Sequence, residues 1–239
     1  MIKATYIDHM GSDLSVVNAA RVSFGKKSDW HYPSIGQESG LSKRDTKLVF
    51  YLADHKHKSP FGHCFATFHV KAPMFVARQL VKHKFLRWNE ISRRYVDEEP
   101  EFYVPDVWRG RAENKKQGSS NEEVKEILVE GWKSEYPDHL KETLEVSVAY
   151  DSVVNESALC LYKDMLHAGV APEQARMVLP QSTMTEWYWS GSLDAFSDMC
   201  VLRCASDTQF ETQYVAEQIS LKMHELFPVS WMALAKGKH

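Results

Sequence analysis

Long apolar runs are missing from this chain of 239 residues: none approaches the ~20 that would cross a bilayer. The first residues, MIKATYIDHMGSD, also lack the charged-then-apolar pattern of a secretory signal. A cytoplasmic protein is therefore expected, in the host's cytoplasm for a viral source. Cysteine is scarce: Cys64, Cys160, Cys200 and Cys204 form no CxxC pair, which argues against a zinc ribbon and for buried, reduced thiols. His55, His57 and His63 have no acid or cysteine at ligand spacing, so no metal is expected. No GxGxxG follows a candidate strand, which argues against a Rossmann-held dinucleotide. A net charge of −3 lacks the basic excess of a general nucleic-acid or membrane-surface binder. With no internal repeat, low-complexity tract or linker, one domain over 1–239 is expected, and 44% hydrophobic residues suffice for a substantial core.

Against that acidic background, one stretch is strongly basic. Residues Arg78 to Arg94 hold Arg78, Lys82, Lys84, Arg87, Arg93 and Arg94 with a single acid, Glu90, so the window is +5 and the rest of the chain −8. A solvated face normally mixes both signs. Here the cations are interleaved with Trp88, Asn89, Ser92 and Tyr95, groups that stack and hydrogen-bond, which suits an anionic aromatic ligand such as a nucleotide. An exposed basic helix is the other reading of the same pattern.

Residues 2–8 alternate weakly, as a strand would, and Gly11-Ser12-Asp13 supplies turn chemistry and an N-cap for a helix over about 14–22. The Gly-, Ser- and Pro-rich segment 25–40 reads as a loop, long enough for a lid or a partner contact. Ser42 with Asp45 opens a helix whose Leu48, Tyr51, Leu52 and His55 share a face. Pro60 and Gly62 force a turn at 57–63, after which Cys64, Ala66, Phe68 and Val70 form the apolar face of a strand. A helix follows from Pro73, and the chain is expected to double back near Phe85. Residues 106–121 read as a loop or insertion. The Ser120/Glu123 pair with Val124, Ile127, Leu128 and Trp132 predicts an amphipathic helix, and a long helix is expected over 139–167, ended by Gly169. Pro172 starts a short helix delivering Arg176, residues 183–189 alternate as a strand, and Ser192 caps a helix that carries Cys200 and Arg203. Asp207 is expected to cap the last helix, with Val215, Ile219, Met223 and Leu226 as its buried stripe. Arg203, late in an apolar helix, fits a salt-bridged edge residue or a ligand.

FVARQLVKHKFLRWNEISRRY, the upstream HKSPFGH, and RMVLP followed by a later LR together resemble the flavin-dependent thymidylate synthases. Their signature, R-H-R-x-x-S-x-N-E-x-S-x-R-Y, is matched without gaps at His83, Asn89, Glu90, Ser92, Arg94 and Tyr95. The likeness runs from Ala20–Phe24 to the last helix, with an insertion at about 106–140. Lys82 and Lys84 replace two signature arginines, Arg87 a serine, Arg93 a small residue, and Gly62 an acid. Lysine keeps the charge and loses the planar fork.

The resemblance implies an α+β fold, a small antiparallel sheet flanked by helices, assembling as a homotetramer with FAD and dUMP at subunit interfaces. It implies reductive methylation of dUMP to dTMP, with the carbon from methylenetetrahydrofolate and the hydride from NADPH through FAD. By position, Gln79, Lys82, Glu90, Ser92, Arg93, Arg94, Arg176 and Arg203 would hold dUMP, Arg203 favouring the ionised ring. FAD would meet Ser59, Lys82, His83 and Lys84, with Ser23 and His57 near and Ser192 and Asp198 standing where the family uses asparagines. Ser92 has no adjacent base in sequence and is not assigned as a nucleophile. The rival readings are flavin- and folate-dependent methylation of uracil in RNA, which needs a wider basic surface, and a non-catalytic nucleotide- or RNA-binding module, which predicts colourless protein and salt-sensitive binding.

Overall fold

The computed structural model describes residues 1–32, 40–96, 98–113, 118–130 and 141–235. In chain order the elements are β1 (Lys3–Met10), α1 (Asp13–Arg21), α2 (Lys43–Asp54), β2 (Phe65–Pro73), α3 (Met74–Leu80) and β3 (Leu86–Glu90). Then come β4 (Arg109–Arg111), β5 (Ser119–Glu123), β6 (Glu126–Glu130), β7 (Lys141–Glu145), α4 (Val146–Tyr150) and α5 (Ser157–His167), the last two joined by a π-helical stretch at Asp151–Glu156. The chain ends with α6 (Pro172–Ala175), β8 (Met184–Ser192), α7 (Leu193–Arg203), α8 (Phe210–Leu226) and α9 (Pro228–Leu234). The expected α+β class with a small sheet is what forms. The elements group into two compact units, one of Met1, Ala72–Arg78 and Ile91–Thr185, the other of Ile2–Lys71, Gln79–Glu90 and Glu186–His239.

The second unit is built on a four-stranded sheet in the order β1-β2-β8-β3, with β1·β2 and β3·β8 antiparallel. Period-2 alternation sends Ala66, Phe68 and Val70 of β2 and Trp187 and Trp189 of β8 to one buried face, while Thr67, His69, Tyr188 and Ser190 stand on the other. Phe196 of α7 meets Phe68 and Trp189 edge-on at 5.4 and 5.6 Å, and Trp88 stacks on Trp187 at 4.2 Å. Trp88 thus spends one ring face on the protein's own core. Leu86 of β3 pairs with Gly191 of β8, where a Cβ would lie 2.3 Å from the Leu86 side chain. Any larger residue at 191 would force the Leu86 side chain to move.

Local rules explain most boundaries here. The Ser42 hydroxyl accepts from the Asp45 amide at 3.1 Å, the expected cap of α2. Buried Asp13, at the start of α1, accepts the Val229 and Ser230 amides at 2.9 and 2.8 Å and so caps α9 across the unit. The chain doubles back at Phe85, as expected, and that residue takes a left-handed φ of 67°, unusual for a bulky side chain.

In the first unit β4 pairs with β5 and β6 with β7. These hairpins overturn two expectations. No helix forms over 120–130: the Ser120 hydroxyl accepts from the Glu122 amide at 3.3 Å, a local turn bond rather than a helix cap, and Glu126–Glu130 zips antiparallel onto Lys141–Glu145. The long helix expected over 139–167 starts only at Val146, because 141–145 is β7. Short apolar runs such as Ile127–Val129 fit strand and helix periods equally, and their β-branched residues favour the strand. Gly169 does end the helical run, with φ 84°. Trp132 lies outside the described residues, as do 33–39 of the proposed lid. In the second unit α8 begins at Phe210 with Gln209 in the N-cap position, not after Asp207, and Pro228 divides it from α9. The strand expected over 183–189 extends to Ser192.

Asp45 does more than start α2. Its carboxylate accepts from Arg21 Nε at 3.0 Å and from the Ser28 hydroxyl at 3.0 Å, and both members of the Arg21–Asp45 pair are largely buried. Burial alone would push the carboxyl up; the hydrogen bonds from Arg21, Ser42 and Ser28 and the Arg21 charge outweigh it and hold the group below its ordinary value near 3.8. Its stabilisation is therefore complete above that ordinary value and is lost as pH falls through the lower folded one. Asp45→Ala should cost about 3 kcal/mol in urea unfolding at pH 7, since it strands the Arg21 charge. The difference from the parent should shrink in strong acid.

Candidate functional site

An open pocket of about 860 Å³ lies in the second unit where the end of α1, the turn after it, α2 and the 57–60 turn converge. Ser23, His57 and Ser59, three of the residues assigned to the flavin by resemblance, line it together. Arg21, Lys26, Arg44 and Lys47 give it a cationic rim, and Phe24 and Tyr51 supply aromatic wall. Tyr51 stacks on His55 at 4.0 Å and lies 6.4 Å from the ring of His57, so the histidines continue that wall. The set is suited to an extended aromatic anion, and the volume falls in the usual range for cofactor sites. The basic members were not singled out from sequence. Arg44, Lys47 and Tyr51 fall at i, i+3, i+7, the spacing that puts them on one face of α2 beside its apolar stripe; that was the available signal.

A second constellation in the same unit lies where α3, α7 and α8 meet. Arg203, the last residue of α7, donates from Nε to His83 Nε2 at 2.9 Å and from Nη2 to the Gln79 carbonyl at 3.5 Å. The Thr212 hydroxyl donates to Gln79 Oε1 at 3.2 Å, and the Gln79 amide donates to Gln209. Burial, then the Arg203 charge, pushes His83 down to about 4, partly offset by Asp198. The imidazole is neutral at physiological pH, and burial lowers Arg203 from its ordinary value as well. Arg203 is thus a ligated guanidinium in a half-buried place and has no carboxylate partner at this contact.

The remaining assigned residues divide between the units. In the second, Lys82 and Lys84 are exposed on the turn after α3, Glu90 of β3 accepts from Trp88 Nε1 at 3.0 Å, the Ser192 hydroxyl donates to Asp194 at 2.5 Å, and Asp198 is ion-paired with Lys58. In the first, Ser92 Oγ accepts from Arg94 Nε at 3.2 Å, Arg94 lies over the Tyr95 ring at 5.0 Å, Arg93 donates to the Glu98 carbonyl, and exposed Arg176 donates to the Glu173 carbonyl at 3.2 Å. Cys64 and Cys200 are buried, as expected of the thiols, but Cys160, on α5, is exposed and Cys204, just past the end of α7, is half-buried. Burial raises the Cys64 thiol to about 11 and Cys200 well above its ordinary value, whereas a hydrogen bond with Cys200 lowers Cys204.

Side chains gathered from several elements, rather than a glycine-rich loop, thus make an α+β protein with a cationic, aromatic-walled pocket of the kind that takes nucleotide-like anions. Residues 5–229 match the sequence model of the Thy1 family, described as thymidylate synthase complementing protein. Flavin-dependent thymidylate synthases of Thermosipho melanesiensis (36% identity over 233 residues, 96% of this chain and 89% of the relative) and Thermus thermophilus (35% over 227 residues, 95% and 73%) are similar to it. Among solved structures, a UMP/dUMP methylase, PolB from Streptomyces cacaoi bound with 5-Br dUMP, matches with a TM-score of 0.73 and 30% identity, over 100% of this chain and 96% of that one. The chain belongs to the flavin-dependent thymidylate synthase family.

In ¹⁵N-histidine NMR of the purified protein, the His83 imidazole should titrate near 4, and Arg203→Ala should move that midpoint up by removing the repulsive charge. Because the folded value lies below the ordinary 6.5, His83 should make the protein less stable as pH falls from about 6.5 towards 4. His83→Gln should flatten the melting temperature over that interval.

Proposed function

We propose that the chain is a cytoplasmic, homotetrameric thymidylate synthase that methylates dUMP to dTMP, using FAD, NADPH and methylenetetrahydrofolate. The family match supports a flavin enzyme. The observation that carries the FAD assignment is the pocket in which Ser23, His57 and Ser59 stand together under four cations. Its rim suits a pyrophosphate and its Phe24 and Tyr51 wall an aromatic ring. His83, Lys82 and Lys84, with Ser192 and Asp198, extend the proposed flavin set. Once bound, FAD supplies the redox chemistry of the methylation.

The chain's own residues bind, orient and polarise. We assign dUMP to Gln79, Lys82, Glu90, Ser92, Arg93, Arg94, Arg176 and Arg203, with different subunits of the tetramer supplying members of the set. Lysine and arginine meet the phosphate, Lys82 as a point charge and Arg93, Arg94 and Arg176 as forks. Arg203 carries the chemistry expected of the protein, a fixed positive charge against the uracil ring that stabilises the anion developing there. The two buried thiols are held protonated, in keeping with a route that uses no cysteine nucleophile. The whole chain would act as one synthase domain, with 106–140 as an insertion.

Purified protein should be yellow and should form dTMP only when dUMP, NADPH and the folate are all present; colourless protein that binds RNA instead would point to a nucleotide-binding module. Arg203→Ala should lower kcat by about 100-fold or more with flavin and tetramer retained. Arg44→Glu with Lys47→Glu should weaken FAD binding by about 10-fold or more, read from flavin released on gel filtration. Cys204→Ala should leave dTMP formation within about two-fold of the parent, and a large loss would reopen a thiol mechanism. A second reading, that UMP is also accepted, is favoured by the PolB match, since that UMP/dUMP methylase is also seen bound with 5-Br UMP. Competition between dUMP and UMP in one assay decides it.

A further inference from the structure

We propose that His83 is a positioning residue for Arg203, accepting the Arg203 Nε–H on Nε2 so that the guanidinium plane is fixed and its remaining N–H groups are presented to the substrate. The proposal rests on the reading of Arg203 as the cation that polarises uracil. Arg203 ends α7, where a long side chain would otherwise sample many rotamers. Two contacts restrict it, the 2.9 Å bond to His83 Nε2 and the 3.5 Å bond to the Gln79 carbonyl, and the Gln79 side chain is itself tethered to Thr212 of α8. His83 is itself held, since its amide donates to the Leu80 carbonyl at 3.1 Å and the left-handed Phe85 turns the chain two residues on.

A nitrogen that accepts from arginine carries no proton, so the imidazole has its hydrogen on Nδ1. Its lowered affinity for protons is consistent with this, because an imidazolium at 2.9 Å from a guanidinium would repel it. The consequence is specific. With Nε2 committed to Arg203, the only polar group His83 can offer a flavin is the Nδ1–H donor. A carboxylate in place of His83 would hold Arg203 more tightly but neutralise the charge needed at uracil; a neutral acceptor orients it and leaves the charge intact.

The test uses the flavin-loaded enzyme. His83→Gln keeps an acceptor near the Nε2 position and, at matched flavin occupancy, should lose about ten-fold less kcat than His83→Phe. His83→Phe, assayed with FAD added to saturation because His83 also belongs to the proposed flavin set, should lose about 100-fold in kcat with the KM for dUMP changed less than about three-fold, since misplacing one charged group by about an ångström costs that much. Combined with Arg203→Ala it should add no further loss. Normal kcat in His83→Phe, alongside an inactive Arg203→Ala, overturns the positioning role alone. Near-normal turnover in Arg203→Ala overturns the Arg203 assignment and this proposal with it. If His83→Phe fails to fold or to hold flavin, ¹⁵N-histidine NMR of the unmodified enzyme at pH 7 decides: the Nδ1–H tautomer supports the role, and an Nε2–H tautomer or an imidazolium overturns it.

Discussion

Phe196 of α7 packs edge-on between Phe68 of β2 and Trp189 of β8, and this aromatic contact fixes the helix on which the electrostatics of the second unit depend. α7 leaves the sheet directly from the end of β8, with Ser192 as the joint. Once Phe196 is seated against the sheet, the register of the helix is set, and Arg203, seven residues on and two turns further, emerges at the level of the turn after α3. A helix free to roll by one residue would swing that guanidinium through about 100°. Aromatic packing therefore sets the place of the Arg203 guanidinium. Trp187 and Trp189, at the centre of that packing, are almost completely buried.

Charge is partitioned just as sharply. The chain is acidic overall, yet Arg21, Lys26, Arg44 and Lys47 crowd one pocket and only Arg21 among them has an acid, Asp45, as a buried partner. That pair is structural as well as electrostatic, because the Asp45 carboxylate also accepts from the hydroxyl of Ser42, the N-cap of α2, and from that of Ser28. Neutralising the rim with further carboxylates would stabilise the protein alone but compete with an anionic ligand. The Arg203 corner follows the same logic by different means, using a neutral imidazole and a backbone carbonyl where a carboxylate would satisfy the cation too completely. A half-buried arginine held this way costs desolvation, which a ligand's negative charge recovers.

How much of this was legible in the sequence depended on whether the deciding interaction was local. The Ser42 cap, the Pro60–Gly62 turn, the alternation in β2 and the Gly169 stop are short-range signals, and each appears where the residues place it. Of the residues assigned to the flavin by position, Ser23, His57 and Ser59 line one pocket, although they come from two separate turns. The segment from 119 to 145 departs from the expected helix because strand pairing, invisible in a single stretch, overrode the Ser120/Glu123 capping pattern, leaving Ser120 with a local turn bond. Arg44 and Lys47 were missed for a related reason. Attention to the apolar stripe of α2 hid the basic residues beside it, and only the folded α1–α2 corner shows that Arg44 and Lys47 line one pocket with Leu48, Tyr51 and Leu52 of that stripe.

The replacement of signature arginines by Lys82 and Lys84 has a physical rationale in this arrangement. Both lie exposed on the turn after α3, one on each side of His83, and Phe85 closes that turn in a left-handed conformation. An arginine at either position would bring a second planar fork within reach of the same imidazole that Arg203 uses, and a fork competes for acceptors along a whole edge. Lysine offers a mobile point charge on a long stem, which can reach a phosphate without entering that contest. The chain keeps its forks further along, at Arg93 and Arg94 in the first unit, where Arg94 is stacked on Tyr95 and braced by Ser92. Separating point charge from fork in this way leaves His83 a single guanidinium to orient, and that is the condition under which one neutral acceptor can define one geometry.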